Sequence, residues 1–408
     1  MPNYYDKAID AFDDKEYNKA IDLFNKAIDN KEYEATSKIA LIYLTGLGID
    51  KDIDKGLDYL FLGDKHDDAL SISALGDYYY TGKYLNKDID KAKAYYERAS
   101  KLLEPHSIGM LGLFLYNEEK YSEAIEYFKS ASLYIDTNSM YYLAKCAYDG
   151  LGMDKDLNLS FELYKRLYEY SDKNIEVNKN LADMYFNGYG TDINIDSAKE
   201  LYLTLEDDDS KFNLAMIYMK KNKYDLAIPL FKQIKSPKAQ FELGRIEYLG
   251  LGVEENKNDA FFKFYASSMS GYIYAYPFLA DCYYYGCGVK KDYDLAIKWY
   301  NEAIKNNIPK QYINLAMVYF KLKKYDEAID VLNKEEECMQ KYKALGSLYL
   351  KKKNYELAYN NFLEARKLGD INSIYELYKL TKKGKGCNKN KEEANKLYLE
   401  YIASKINE

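Results

Sequence analysis

Apolar residues recur three and four positions apart along the whole chain, in paired segments joined by short polar turns, so the pattern predicts helical hairpins rather than strands. One pair reads YYYGCGVKKDYDLAIKWY from Tyr283 to Tyr300. The same grammar returns as YLTGLGIDKDIDKGLDYL from Tyr43, AYDGLGMDKDLNLSFELY from Ala147 and YFNGYGTDINIDSAKELY from Tyr185. It recurs as EYLGLGVEENKNDAFFKF from Glu247 and TKKGKGCNKNKEEANKLY from Thr381, with a degenerate copy, YYTGKYLNKDIDKAKAYY, from Tyr79. Seven occurrences of one turn exclude a unique catalytic loop and mark a repeat array.

Each copy has the same internal spacing. A small residue lies six before the first glycine: Ala40, Gly76, Ala144, Ala182, Gly244 and Ala280, with Tyr378 the exception. Four after the second glycine position comes Asp52, Asp88, Asp156, Asn194, Asn256, Asp292 or Asn390. Four further on stands another small residue: Gly56, Ala92, Ser160, Ala198, Ala260, Ala296 or Ala394. The reading is a first helix (A) ended by a glycine that reverses the chain through positive φ. Next comes an Asp or Asn capping the free N–H groups of a second helix (B). Small residues on both helices let A and B approach closely.

Five further units lack the glycine pair: KEYNKAIDLF, EKYSEAIEYF, NKYDLAIPLF, KKYDEAIDVL and KNYELAYNNF. In these, twelve residues separate the two small positions (Ala8 to Ala20), against sixteen in the glycine-pair units (Ala40 to Gly56). Four extra residues are expected to lengthen both helix A and the turn. Aligned on the small residue of helix A, the chain holds twelve hairpins, at 8, 40, 76, 112, 144, 182, 215, 244, 280, 316, 346 and 378. The units start near 1, 34, 68, 106, 137, 175, 209, 236, 273, 309, 338 and 371, so residues 1–408 are expected to form a single all-α array with no separate domain. Pro105, Pro237 and Pro309 fall near unit starts, where proline is tolerated, whereas Pro229 lies inside a B helix.

The pattern L-[AG]-x-x-Y-x-x-G-x-G, then Asp or Asn, then Ala, resembles the Sel-one-like repeat. Leu279, Ala280, Tyr283, Gly286, Gly288, Asp292, Ala296 and Trp299 carry the match. The shorter units resemble tetratricopeptide repeats. Tyr84 in place of a second glycine, and Glu247 or Thr381 in place of the helix A tyrosine, depart from the pattern in single units. The resemblance implies a right-handed α-solenoid superhelix with A helices on the concave side, and adaptor work that needs no cofactor.

Composition narrows the function classes. The 408 residues hold 58 Lys and Arg against 65 Asp and Glu, a net charge of −7. That balance disfavours nucleic acid and anionic membranes as partners. No apolar run reaches the length of a membrane helix, and no basic segment followed by an apolar run opens the chain, so a cytoplasmic protein is expected. Five scattered cysteines fit reduced thiols better than a disulfide framework. Gly286-Cys287-Gly288 reads as a structural turn, since a phosphate loop would need a following Lys-Ser/Thr or a preceding strand. Cys282 and Cys287 have no second pair to complete a metal site. His66 and His106, both expected to be exposed, lie near no nucleophile motif. No catalytic residue, metal or cofactor is predicted.

One constellation points to binding. Four residues after the helix A small residue come Leu44, Tyr80, Tyr116, Tyr148, Phe186, Met219, Tyr248, Tyr284, Phe320 and Leu350. Helical geometry places that position at the edge of the face holding the small residue. Asp77, Lys145, Asp183, Arg245 and Asp281 flank it in mixed sign, which suits a peptide more than a polyanion. Tyr80, Tyr116, Tyr148, Phe186, Arg245, Tyr248, Tyr284 and Phe320 are therefore the candidate partner-binding residues, centred on Tyr148, Phe186, Tyr248 and Tyr284. Partial burial between repeats, with tyrosine abundant simply through AT-rich coding, is the competing explanation. The expected function is a non-enzymatic, monomeric adaptor gripping a protein segment. A regulatory subunit of an enzyme complex and a self-associating structural array are the alternatives.

Overall fold

The structure, a computed structural model, describes residues 4–170 and 173–406. It consists of two compact units, residues 1–205 and 206–408. Each contains six antiparallel helical hairpins, and among the described residues no strand occurs.

In the first unit the hairpins are α1 (Tyr4–Asp13) with α2 (Tyr17–Asp29), α3 (Ala35–Thr45) with α4 (Ile53–Lys65), and α5 (Ala69–Thr81) with α6 (Ile89–Lys101). They continue as α7 (Pro105–Asn117) with α8 (Tyr121–Ser132), α9 (Thr137–Asp149) with α10 (Leu157–Tyr170), and α11 (Ile175–Asn187) with α12 (Ile195–Tyr202). The second unit pairs α13 (Asp208–Lys220) with α14 (Tyr224–Gln233), α15 (Pro237–Leu249) with α16 (Lys257–Met269), and α17 (Tyr276–Tyr285) with α18 (Tyr293–Lys305). Its last three hairpins are α19 (Gln311–Lys321) with α20 (Tyr325–Leu332), α21 (Met339–Lys351) with α22 (Tyr355–Lys367), and α23 (Ile371–Lys383) with α24 (Lys391–Ile406). Odd-numbered helices are the A helices and even-numbered ones the B helices.

The four extra residues of the glycine-pair units lie entirely in the turn, which corrects the expectation of a longer helix A. Helix A ends five residues past its small residue in both unit types, as at Thr45 and Asp13. The A–B linker then takes seven residues (46–52) or three (14–16). All six first glycines flanked by a second, and Gly82 of the degenerate copy, have φ between +65° and +77°. The Asp or Asn at the end of the long turn caps helix B in all seven copies, from Asp52, which accepts from the N–H of Lys55, to Asn390, which accepts from that of Glu393. A helices are capped similarly by Asp68, Glu104, Asp136, Asn174, Asp207, Ser236 and Asp370. Pro105 and Pro237 occupy the first helical turn, while α14, which contains Pro229, runs only 10 residues. Gln311 opens α19 two residues after Pro309, following Lys310 at φ +64°.

Both helices feed the core, and helix B supplies most of its bulkiest side chains. Four residues after the helix B small residue stands a bulky side chain: Phe24, Leu60, Tyr96, Phe128, Tyr164 and Tyr202 in the first unit, and Phe231, Phe264, Tyr300, Leu332 and Phe362 in the second, all buried. Three tyrosines of this set bring their hydroxyls to an aspartate on their own helix A. Tyr96 donates to Asp77 at 2.7 Å, Tyr202 to Asp183 at 2.5 Å and Tyr300 to Asp281 at 2.5 Å. Those aspartates, expected as groove-flanking charges, instead satisfy buried phenols. Burial first, and the neighbouring carboxylate second, push the Tyr96 and Tyr300 hydroxyls far above the ordinary phenol range, so both remain donors.

His106 corrects the expectation of exposure. It is half-buried, with Nε2 2.8 Å from Asp77 Oδ1, and that hydrogen bond outweighs burial in raising its pKa. His66 is exposed and stacks on Tyr33 at 3.6 Å between ring centroids. The last helix buries Ala394 and Leu397 and leaves Tyr398, Leu399 and Ile402 exposed.

Candidate functional site

The ladder position is less exposed than helical geometry alone suggests. Leu44 and Tyr284 are buried, and the other members are half-buried. In the first unit Tyr80 meets Phe114 edge-on at 5.7 Å, and Tyr116 packs on Tyr142 at 5.1 Å. Tyr148 meets Tyr189 at 6.1 Å, and Phe186 leans on Tyr202 at 6.1 Å. In the second unit Tyr248 lies against Phe264, with its hydroxyl 3.6 Å from Cys287 Sγ. Arg245 is engaged by Glu242, which accepts from Nη1 at 2.9 Å. These rings pack against their own or the neighbouring hairpin.

Two predicted residues, Tyr284 and Phe320, do converge on one open site. They line a cavity of about 220 Å³ with Ile313, Ala316, Met317, Lys321, Leu332, Ala344, Ser347 and Leu348. A second depression of about 470 Å³ adjoins it, sharing Phe320 and Ser347 and adding Lys343, Leu350, Lys351, Phe362, Asp370, Asn372, Ser373 and Glu376. Together they form a groove along α17, α19, α21 and α23. It is apolar at the α17–α19 end and polar toward α23.

Side-chain size and polarity along the A helices shape the groove. One residue past the helix A small residue, hairpins with an aspartate pair it with the helix B tyrosine, as Asp281 does with Tyr300. In the α19–α20 hairpin the same two positions hold Met317 and Leu332, and in α21–α22 they hold Ser347 and Phe362. Neither hairpin has the polar pair, which only three of the twelve carry, and here Met317 and Leu332 make the face apolar. Met317 is 40% exposed over the fully buried Leu332. Small residues, Ala316, Ala344 and Ser347, leave the space unfilled. Neither Met317 nor Ile313 was singled out from sequence, since Met216 fills the position equivalent to Met317 in the α13–α14 hairpin and methionine there is no distinguishing signal.

At the polar end, Lys343 Nζ lies 2.9 Å from Asp370 Oδ1 and Ser373 donates to Asp370 Oδ2. Burial alone would raise the Asp370 carboxyl, but these hydrogen bonds hold it below the usual carboxylate range. Glu376 is matched by Lys379 at 2.5 Å. Lys321 and Lys351, on the rim, have no carboxylate partner among the described residues.

This is a helix-turn-helix repeat protein of the all-α solenoid class. The family model for the Sel1 repeat matches residues 13–31, 34–62, 69–102, 110–133, 137–169, 176–204, 237–262, 273–308, 344–370 and 380–400, and that for the tetratricopeptide repeat matches 208–236 and 311–334. The chain belongs to the Sel1 repeat family, whose fold is a protein–protein interaction scaffold. A protective antigen present in uropathogenic Escherichia coli strains, displaying an SLR fold, is similar at 22% identity and a TM-score of 0.64, with 91% of this chain and 85% of that one covered. A Sel1 repeat protein from Oxalobacter formigenes matches at 17% identity and a TM-score of 0.39, covering 70% of this chain and 87% of that one.

Proposed function

We propose that the protein is a non-enzymatic adaptor that holds a segment of a partner protein in the groove of its second unit, with the twelve hairpins of residues 1–408 serving as one repeat array. One observation carries the reading. An apolar, partly solvent-exposed groove opens where Met317 lies over Leu332 and the small residues Ala316, Ala344 and Ser347 leave space beside Tyr284 and Phe320. Exposed methionine beside a half-buried phenylalanine gives a pliable apolar floor for anchor side chains. Tyr248 and Arg245 in the same unit, and Tyr80, Tyr116, Tyr148 and Phe186 in the first, offer secondary contacts through their exposed edges. A cytoplasmic location, with no nucleic-acid or membrane partner for the groove itself, accords with this reading.

The test is affinity capture with wild type and a Met317→Glu variant, read by mass spectrometry and checked by circular dichroism. Met317 is exposed enough to accept glutamate without unfolding. Loss of a specific partner by a variant of unchanged helicity supports the groove. Equal capture by both proteins refutes it.

A further inference from the structure

The whole-chain charge conceals a division. Residues 1–205 carry 24 Lys and Arg against 37 Asp and Glu, a net of −13, whereas residues 206–408 carry 34 against 28, a net of +6. The excess in the second unit is concentrated in A–B turns. From the last residue of helix A to the residue before helix B, the last three hairpins read KLKK (321–324), KKKN (351–354) and KGKGCNKN (383–390). These sixteen residues hold nine lysines and no carboxylate, and all nine lysines are exposed. The six equivalent turns of the first unit hold six lysines and twelve carboxylates. A helix C-terminus favours a cation, but every A helix has that dipole, so it does not account for the contrast.

The three turns form one continuous edge. Lys385 reaches back to the preceding hairpin, with Nζ 3.2 Å from the Tyr355 hydroxyl and 4.5 Å from the ring centroid. Lys352 pairs with Asp326 at the start of α20. The edge also borders the groove, since Lys321 and Lys351 line its two parts.

Resting on the reading of the groove as a partner site, we propose that its partner segment is acidic, with carboxylates on the lysine edge of the last three hairpins and apolar anchors in the groove beside it. Adjacent hairpins stack about 10 Å apart, and an extended chain advances about 3.3 Å per residue. A carboxylate about every third residue therefore meets each lysine cluster in turn. The edge contains lysine and no arginine, so it offers point charges rather than the planar forks that favour bidentate phosphate contacts. Asp326, Glu327, Glu356 and Glu392, on the B helices just past the turns, interrupt the positive field. Densely charged polyphosphate or a uniformly anionic lipid surface meets these carboxylates more often than a segment with spaced carboxylates does, which favours the latter.

Binding is measured by fluorescence anisotropy with a labelled 18-residue peptide of repeating Glu-Glu-Leu. The controls are a Gln-Gln-Leu peptide, a 20-nucleotide single-stranded DNA and phosphatidylserine–phosphatidylcholine vesicles. The expected result is binding of the acidic peptide alone, weakened about tenfold or more between 50 and 300 mM salt, and a similar loss in Lys351→Glu/Lys352→Glu/Lys353→Glu. Equal binding of the glutamine peptide, an undiminished triple variant, or tighter binding to DNA or vesicles overturns the proposal. Native-partner capture separates the two readings. Capture lost in Met317→Glu but intact in the triple variant sinks the acidic partner and spares the groove, whereas capture intact in both sinks both.

Discussion

The molecule makes the same chain reversal in two ways, and the contrast shows what the glycines are for. In the long turns the first glycine ends helix A with φ near +70°, and the second also has φ between +67° and +75°. The short turns reach the left-handed region with ordinary residues, seven past the helix A small residue: Lys15, Glu119, Asn222, Lys323 and Lys353, at φ +55° to +62°. Positive φ alone therefore does not demand glycine in this array. The second glycine is set apart by what it touches. A Cβ on Gly288 would lie 2.1 Å from the carbonyl oxygen of Lys257, the first residue of the preceding B helix. On Gly190 and Gly386 it would fall 2.0 Å from the carbonyls of Leu157 and Tyr355, and on Gly48 2.5 Å from the Tyr17 ring. The long turn lies flush on the start of the previous hairpin's B helix. The second glycine is a spacer between repeats as much as a bend within one.

The largest effect should follow from closing that gap. Gly288→Ala adds a methyl that meets backbone at Lys257 and Cβ of Phe261, neither of which can swing away. Left-handed strain of about 1–2 kcal/mol combines with overpacking of about 1–3 kcal/mol, for a loss of about 3 kcal/mol. Gly286→Ala incurs the strain but meets mainly the Lys291 side chain at 2.8 Å, which is free to move, so its loss should stay near 1–2 kcal/mol. Native-state hydrogen exchange reads both locally. Gly288→Ala should loosen amides in α16 as well as α18, because the damage lies between hairpins. Equal and purely intra-hairpin effects would show that the second glycine serves conformation only.

This inter-repeat role was not legible in the sequence, because nothing in a single repeat shows what its turn rests on. The hairpins were legible, because the small residues that permit close A–B approach recur at fixed offsets, and Ala40, Ala144, Ala182 and Ala280 are all fully buried. The Tyr–Asp pairs were within reach: Asp77 to Tyr96, Asp183 to Tyr202 and Asp281 to Tyr300 are each nineteen residues apart. Reading one helix at a time hid them. The ladder position was found, but how far each ring is covered by its own and the neighbouring hairpin was not readable from one helix. The groove was hidden for a related reason. It arises from Ala316, Met317, Ala344 and Ser347 together, a combination across two A helices that no single repeat displays. The lysine edge was masked by a net charge taken over the whole chain.

A smaller and opposite effect should appear in the short turns. Lys353 has φ +61° and an exposed side chain. Lys353→Gly removes about 1–2 kcal/mol of left-handed strain but increases the freedom of the unfolded chain, at a cost of about 0.4–1 kcal/mol. The net should be a gain of about 0.5 kcal/mol, visible as slower exchange in α21 and α22. A loss instead would mean that the lysine contributes stabilising contacts that outweigh its strained backbone. The charge change also bears on the lysine edge, so the same variant should bind the acidic peptide slightly less tightly while folding more stably.

The smallest effect is expected at the residue between the two glycines. The N–H groups of Gly286 and Cys287 both donate to the carbonyl of Cys282, at 2.9 and 3.0 Å, so the backbone closes the turn regardless of the side chain. That double bond brings the positions of Cys282 and Cys287 together, where helix ends of this kind commonly place an apolar contact. Other long turns fill the same pair with Ile42 and Leu47 or Ile246 and Leu251. Burial pushes the Cys282 thiol up to about 12, so it stays protonated and packs as a small apolar group. Cys287→Ser exchanges a sulfur near the Tyr248 hydroxyl for an oxygen that can hydrogen-bond, and gives up part of the contact with Cys282. The two changes oppose each other, and the loss should be below about 0.5 kcal/mol, the range of a substitution outside the core. Partner capture and exchange in α17 and α18 should match wild type. A folded Cys287→Ser protein that no longer captures its partner would move the binding site from the groove to the glycine-pair turn, and would give the thiol the role that its seven-fold repeated setting argues against.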